Sequence, residues 1–175
     1  LRIQYRTFDG VDYTWTLHPY FIKQYNNRWF LFGRNNDAPD RIYNVPLDRI
    51  VSCKPANVKY MENDLVDFDE YFDEIIGVTM SPDQAKGSVV LRCDKARFPY
   101  ILSKPLHGSM RVRDRENGVV ELRLRPNKEL ESLIFSFGNQ VEVLEPQWLR
   151  TQIADKLTDV LKKYSAVQMP CTDPQ

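Results

Sequence analysis

The first part of the chain alternates apolar and polar positions with the two-residue period of a β-strand. In LRIQYRTF, Leu1, Ile3 and Tyr5 alternate with polar side chains, and the Asp9-Gly10 pair after them is a turn signal. Further short runs of this kind follow in YTWTL, FIKQY, RWFLFG, RIYNV and LDRIVSC, with a break expected at His18-Pro19. This pattern predicts five or six strands in a small antiparallel β-barrel over residues 1–55.

The pattern then changes to a helical period. In VDFDEYFDEIIG, apolar residues recur at helical spacing from Phe68 to Ile76, and Gly77 follows as a stop residue. The segment is rich in Asp and Glu but lacks the alternation and central Gly of a calcium loop, so we interpret its carboxylates as a solvated face. These features predict an acidic helical linker over residues 56–85.

Strand and helix patterns alternate over residues 86–165. The segments SVVLRC, SMRVRD, VVELRLRP and VEVLEP are typical of strands, and ARFPYILS, KELESLIFSFG and QWLRTQIADKLTDVLKKY of helices. The last helix carries an apolar stripe of Leu149, Ile153, Leu157, Val160, Leu161 and Tyr164. The order β-α-β-β-α-β-α predicts a ferredoxin-like α/β sandwich with an extra C-terminal helix. Residues 166–175 have little apolar content and are predicted to be a disordered tail. The expected fold class is α+β.

Composition excludes several classes of protein. The 175 residues, 42% apolar and 12% aromatic, are enough for one moderate core or two small ones. Three widely separated cysteines without metal-ligand spacing predict neither a disulfide framework nor a zinc site, and they fit a reducing, cytoplasmic setting. No apolar run approaches the roughly 20 residues needed to span a bilayer, so no membrane partner is expected.

Charge is balanced overall but uneven along the chain. The 24 basic and 24 acidic residues leave a net charge of zero. Residues 1–50 carry a net charge of +2, residues 51–85 carry −6 and residues 86–165 carry +5. Any polyanion site is therefore expected to be local. The hairpin arginines of the second half either add phosphate contacts or dock on the acidic linker: Arg111, Arg113, Arg123 and Arg125.

Catalytic chemistry is not indicated. His18 and His107 fall in different predicted domains, and neither is spaced from Cys or carboxylates as metal ligands are. No nucleophile elbow, glycine-rich phosphate loop or H-E-x-x-H motif is present in the sequence. We expect no enzyme activity and no cofactor.

The predicted barrel combines arginines with aromatic residues. Arginine forks pair with phosphates and aromatic faces stack on bases, so the two together suit single-stranded nucleic acid or a nucleotide. The alternative is that the aromatic residues form the core, as we expect for Trp15 and Phe32, and that the arginines decorate the surface. The candidate residues are Arg6, Arg28, Arg34, Arg41 and Arg49 with Tyr5, His18, Tyr20, Trp29, Phe30 and Tyr43.

Three segments of the first part, in this order, resemble the WYL domain: IQYRTFDG, LHPYFIKQYNNRWFLFGRN and RIYNVPLDRI. They match its strand ending in Tyr-Arg, its Leu-x-Pro step and Trp-Tyr-Leu strand, and its strand ending in Leu-Asp-Arg-Ile. The signature triplet here is Trp29-Phe30-Leu31, with Phe in place of Tyr. In the second part, FSFGNQVEVLEPQWLRTQIADKLTDVLKKY is similar to the C-terminal extension that usually follows a WYL domain.

The resemblance implies an Sm-like or SH3-like β-barrel that serves as the ligand-sensing module of a bacterial transcription regulator. Its expected effector is a single-stranded nucleic-acid fragment or a nucleotide. Regulators of this kind carry an N-terminal winged helix-turn-helix that binds DNA, and the start at Leu1 without Met leads us to expect that it was cut away here. A homodimer is also expected. The alternative is a protein-interaction or dimerisation module without a small effector.

The resemblance also assigns site residues. Tyr5 and Arg6 fall at the Tyr-Arg step, and Arg6, Arg41 and Arg49 are expected to contact phosphate. Hydrogen-bonding or stacking roles are expected for His18 and Tyr20. The full set of expected ligand-binding residues is Tyr5, Arg6, His18, Tyr20, Arg34, Arg41, Tyr43 and Arg49.

Overall fold

The computed structural model describes residues 1–81 and 83–165, and the tail predicted at 166–175 lies outside them. The chain divides into two compact units. The first comprises Leu1–Gln84 with Asn127–Leu130, and the second comprises Ala85–Pro126 with the chain from Glu131 onward. Each unit contains one antiparallel sheet, which confirms the predicted α+β class.

The sheet of the first unit has five strands: β1 (Arg2–Arg6), β2 (Asp12–Tyr25), β3 (Arg28–Asn35), β4 (Ala38–Pro46) and β5 (Ile50–Lys54). They pair in the order β4-β3-β2-β1-β5. The break expected at His18-Pro19 is wrong. The two predicted strands there form the single strand β2, since a register shift between Pro19 and Phe21 lets the proline sit at a bulge.

The sheet is open, whereas the sequence pattern predicted a barrel. Strands β4 and β5 are the two ends of the pairing order in the described residues. The chain beyond β5 lies beside β4 instead, where the Asn44 amide donates a hydrogen bond to the Val78 carbonyl at 2.8 Å. Residues that follow the sheet in sequence therefore contact β4.

One face of this sheet holds a small apolar core, which we call the inner face. Alternation along the strands places Ile3, Leu17, Leu31 and Val45 together there, each at most 7% exposed. The partly buried side chains Tyr5, Trp15, Tyr43 and Ile50 pack against this cluster. The inner face is thus apolar at one end and aromatic at the other.

The opposite, outer face is covered by the acidic segment. Helix α1 (Phe68–Asp73) begins at Asp67, whose carboxylate accepts hydrogen bonds from the backbone N–H groups of residues 69 and 70. Its rings pack on Phe32 of β3, which is fully buried. The helix ends at Asp73, three residues before the predicted end at Ile76, because the chain turns through Gly77 with a positive φ of 80° and buries Ile75 and Ile76 outside the helix.

The second unit follows the predicted order of elements. Its strands are β6 (Gly87–Cys93), β7 (Arg111–Asp114), β8 (Val119–Leu124) and β9 (Val141–Glu145), paired in the order β7-β8-β6-β9. The helices are α2 (Phe98–Ser103), α3 (Lys128–Ser136) and α4 (Gln147–Ser165), and α3 belongs to this unit from Glu131 onward. Alternating side chains of the strands, such as Val89, Leu91, Val120 and Leu122, are buried.

Helix α4 forms as predicted, and only the first part of its apolar stripe is buried. Leu149 and Ile153 are buried as expected of an apolar stripe. The rest of the stripe is exposed: Leu157, Val160, Leu161 and Tyr164. The reason is the length of the helix, whose 19 residues continue beyond the two that reach the core of the unit. No helix in the described part of the chain is long and apolar enough to cross a membrane.

Candidate functional site

Four aromatic side chains form a continuous row on the inner face of the first unit: Tyr5, Tyr13, Trp15 and Tyr43. We call this set the aromatic row. Tyr5 stacks on Trp15 with ring centroids 5.3 Å apart and an interplanar angle of 12°. Tyr13 lies 6.3 Å and Tyr43 5.7 Å from the same indole. Trp15 is therefore the centre of the row as well as a neighbour of the apolar core.

The hairpin between β1 and β2 builds this row. Antiparallel pairing sets Tyr5 opposite Tyr13 and Ile3 opposite Trp15, so the two strands present their aromatic side chains on one face. Tyr43 reaches the row from β4. The row is partly open to solvent, since Tyr13 is 46% exposed.

Two arginines flank the row. The Arg41 guanidinium lies 4.7 Å from the Tyr43 ring centroid and is exposed. Hydrogen bonding to the Tyr43 side chain is the main cause that raises the pKa of Arg41 above its ordinary value. Arg49 donates a hydrogen bond to the Tyr5 hydroxyl at 3.1 Å and lies 3.1 Å from the ring centroid of Phe8. Cations thus stand at both the Tyr43 end and the Tyr5 end of the row.

A groove extends the site beside β4. It has a volume of about 500 Å³ and is lined by Arg41, Tyr43, Leu65, Val66, Tyr71 and Met80, among others. Burial raises the pKa of Tyr71 to about 12, so its phenol is neutral at physiological pH. The groove has room for a base-sized ring, with Arg41 and Tyr43 at its rim.

Arg6 has a partner within the protein. Its Nε and Nη2 atoms donate to the two carboxylate oxygens of Asp12 at 2.7 and 2.9 Å. The hydrogen bond from Arg6 is the main cause that lowers the pKa of Asp12. Both side chains are exposed, so an incoming phosphate would compete with this carboxylate for the same fork.

The other three expected ligand residues lie apart from the row and hold the chain that follows the sheet. We call residues 59–64 the connector segment. His18 is 1% exposed, and its Nδ1 accepts a hydrogen bond from the Met61 N–H at 3.1 Å. The Tyr20 hydroxyl donates to the Met61 carbonyl at 2.9 Å, and burial raises the pKa of this phenol. Arg34 forms an ion pair with Asp64.

Apart from Arg6, which pairs with Asp12, the structure divides the expected site residues into two groups. Tyr5, Arg41, Tyr43 and Arg49 belong to the aromatic row or flank it. His18, Tyr20 and Arg34 contact the connector segment on the other face, because residue alternation turns them away from the inner face. Trp15 was predicted as core, and its position at the centre of the row was missed. The Asp9-Gly10 turn signal after Tyr5 predicts that the two flanking strands pair with each other. That pairing could have indicated that Trp15 lies near Tyr5.

The hairpin of the second unit has its own ion pairs. Arg113 of β7 donates to Glu121 of β8 at 3.0 Å, and its Nη1 lies 3.7 Å from Glu145. Arg92 and Arg150 both pair with Glu142. Within residues 1–81 and 83–165, no group of three or more His, Cys, Asp or Glu side chains is placed to hold a metal ion.

Comparison with known families identifies both halves of the chain. The model of the WYL domain matches residues 1–55, and the model of the WCX domain matches residues 85–161. Together they cover most of the 175 residues. The chain therefore carries a WYL domain in its first part and a WCX domain in its second part, as the sequence resemblance predicted.

Among solved structures, the chain is similar to proteasome accessory factor B/C (PafBC) of Arthrobacter aurescens, with 17% sequence identity and a TM-score of 0.38. The match covers 99% of this chain and 26% of that one, so the chain spans about a quarter of that protein's length. No curated protein matches the sequence.

Proposed function

We propose that this chain is the ligand-sensing part of a transcriptional regulator and that its aromatic row binds a single-stranded nucleic-acid fragment or a nucleotide. The observation that carries the proposal is the row itself, in which Tyr5, Tyr13 and Tyr43 each contact Trp15, with one arginine beside Tyr43 and another beside Tyr5. Bases stack on such rings whatever their sequence, and arginines pair with the phosphates between them. Neither base stacking nor arginine–phosphate pairing requires catalytic groups, so we propose a binding role and no enzyme activity.

The roles follow from position. Arg41 and Arg49 would contact phosphates, and Tyr43 and Tyr5 would form the stacking surface. Arg6 would contact a further phosphate once that phosphate has displaced Asp12. Effector binding would then change the geometry of an attached DNA-binding domain in a homodimer. That step requires the effector to bind one arrangement better than the other.

We also propose the finer architecture. The first part, 1–55, would be an Sm-like or SH3-like domain, with the acidic segment 56–85 as a linker. Residues 86–165 would be ferredoxin-like, which the order β7-β8-β6-β9 supports, because it sets the first and third strands of the unit side by side at the centre.

The test is the binding of a fluorescent oligothymidylate to the protein, followed by anisotropy across a salt series. Replacing Arg41 by Ala is expected to reduce the slope of log K against log[salt] by about 0.7, the value for one phosphate contact on a single strand. It should weaken binding several-fold at low salt.

Arg92→Ala is the matched control. Arg92 is also an exposed arginine, but it lies on β6 of the second unit, paired with Glu142. We expect it to leave both the slope and the affinity unchanged. Equal losses in the two variants, or no oligonucleotide binding by the unchanged protein, would count against the aromatic row as the site.

The exposed stripe of α4 favours a second role, association between two copies of the chain. Leu161 is 65% and Tyr164 80% exposed, although both continue the apolar stripe of the helix. Burying a leucine side chain contributes roughly 1.5–3 kcal/mol. Leu161→Glu is therefore expected to raise the dissociation constant of a dimer by at least tenfold in analytical ultracentrifugation.

Thr158→Glu is the control for this prediction, because it adds the same charge to an exposed position of the same helix. It should leave the dimer intact if the stripe is the contact. A dimer that survives Leu161→Glu would exclude the stripe as the contact, and a chain that is monomeric before substitution would remove this second role.

A further inference from the structure

The connector segment covers a buried arginine. The Arg34 side chain is 9% exposed and forms an ion pair through Nη2 with Oδ1 of Asp64, whose own side chain is 75% exposed. The pair thus joins a fixed, buried cation to an anion in contact with water. Water and dissolved anions can reach the carboxylate side of this pair without disturbing the core.

In the described part of the chain, the Arg34 guanidinium has a hydrogen-bond acceptor at Nη2 but none at Nε. Its Nε is buried and has no hydrogen-bond partner among the described residues. The N–H groups of Nε and Nη2 point in parallel from one edge of a guanidinium, and a carboxylate or phosphate that presents two oxygens can accept from both. Asp64 accepts from Nη2. A buried donor without an acceptor is unfavourable, so an anion that accepts from both N–H groups would bind more favourably than Asp64 does.

A depression lies beside this pair. It has a volume of about 440 Å³ and is lined by Arg34, Lys59, Tyr60, Met61, Glu62 and Asp64. Lys59 brings a second cation to the same depression. The lining also includes two carboxylates, Glu62 and Asp64, so displacing Asp64 leaves two cations against one anion. That excess of positive charge suits a phosphate group, which has more oxygens and more negative charge than a carboxylate.

The connector segment, which includes Asp64, is held to the sheet by a few hydrogen bonds. Its backbone is fixed by His18 and Tyr20 at Met61, and the Tyr60 hydroxyl donates to the Pro19 carbonyl at 3.0 Å. The connector segment has no helix or strand of its own. It can therefore separate from the sheet without breaking the pairing of β2 with β3.

We propose that Arg34 and Lys59 form a phosphate-binding site that Asp64 occupies as an internal carboxylate. An incoming phosphate takes the place of Asp64, accepts from both Nε and Nη2 of Arg34, and releases the connector segment from the sheet. This site is separate from the aromatic row, on the opposite face of the same sheet, and does not depend on the row binding nucleic acid. It converts the arrival of a phosphate into a movement of the chain that leads to α1.

The test compares the unchanged protein with Asp64→Asn, using inorganic phosphate as the probe and sodium chloride at equal ionic strength as the reference. Binding is followed by the NMR signal of the Arg34 Nε–H group, and release of the connector segment by hydrogen exchange at residues 59–64. The asparagine removes the charge that competes with phosphate. If Asp64 fills the site about nine-tenths of the time, phosphate should bind the variant roughly tenfold more tightly.

Asp69→Asn is the matched control, because it removes the same charge from an exposed position of the same acidic stretch, in α1. It should leave phosphate affinity unchanged. Lys59→Ala, at an exposed position that cannot unfold the core, should weaken phosphate binding. Phosphate binding without faster exchange at residues 59–64 would overturn the proposal, and so would equal affinities of the Asp64→Asn variant and the unchanged protein for inorganic phosphate and also for a 5′-phosphorylated thymidine dinucleotide.

A second pair of probes separates the sources of the phosphate. A 5′-phosphorylated thymidine dinucleotide and its unphosphorylated form are compared with inorganic phosphate. If the Asp64→Asn variant binds only the phosphorylated dinucleotide more tightly than the unchanged protein does, the site recognises nucleotide ends. If it also binds inorganic phosphate more tightly, the site accepts any phosphate. No gain with either phosphate probe would overturn the site. Tyr43→Leu distinguishes this site from the aromatic row, since adding it should not change the tighter phosphate binding that Asp64→Asn causes.

Discussion

Replacing Phe32 by Ala is expected to lower the free energy of unfolding of the first unit by about 3–5 kcal/mol, the range for large-to-small substitutions of a buried phenylalanine. Phe32 has no exposed surface. Its ring meets Phe72 edge-on at 5.1 Å and lies 6.0 Å from both Phe68 and Tyr71. The alanine would leave a cavity between the sheet and α1, and the helix is too short to be stable without that contact.

Urea denaturation followed by circular dichroism measures this loss. Phe8→Ala is the matched control, because it removes the same side chain from a position that is 81% exposed. We expect that variant to lose less than about 1 kcal/mol. Comparable losses in the two variants would mean that α1 does not pack on the outer face as described.

Phe32 also shows what periodicity can and cannot predict. Alternation along RWFLFG places Leu31 and Phe32 on opposite sides of β3, and Phe32 was expected to belong to the core. Both side chains are nevertheless buried, because the outer face is covered by residues 68–72, more than 30 positions away in sequence. A two-residue period reports which side a residue takes. It does not report whether the second side meets water or another element.

The five candidate arginines of the first unit show a second limit. In the sequence they are alike, five cations among aromatic residues. In the structure Arg6 pairs with Asp12, Arg28 with Asp48 and Arg34 with Asp64, while Arg41 and Arg49 lie against aromatic rings. The first pairing is local and follows from the β1-β2 hairpin. The third joins positions 30 residues apart through a segment without a periodic pattern, so nothing near Arg34 in the sequence could have indicated it.

The same limit explains how the candidate site divides. His18 and Tyr20 lie on β2 and Tyr43 lies on β4, and the resemblance to the WYL domain groups the three residues by their place in its motif. Strand alternation and the bulge at Pro19 decide which face each side chain takes. His18 and Tyr20 consequently hold the connector segment, and Tyr43 joins the aromatic row. A sequence motif thus predicts which strands carry the site residues more readily than it predicts which face of the sheet each side chain takes.

Tyr43 provides the strongest test of the row as a stacking surface. Tyr43→Leu removes the ring but keeps an apolar side chain against the core, and Tyr43→Phe keeps the ring and removes the hydroxyl. Stacking of a base on an aromatic side chain contributes about 1–3 kcal/mol, so the leucine variant is expected to bind oligothymidylate roughly 5–150-fold more weakly. The phenylalanine variant should bind about as well as the unchanged protein.

Salt separates this effect from that of Arg41. Stacking releases no counterions, so Tyr43→Leu should weaken binding equally at every salt concentration and leave the slope of log K against log[salt] unchanged. Arg41 lies over the same ring, yet its loss should change the slope. Equal losses in the leucine and phenylalanine variants would instead assign the contact to the Tyr43 hydroxyl, and no loss in either would remove the ring from the site. Because the two side chains are in contact, only a ligand that presents a base and a phosphate together can give both signatures.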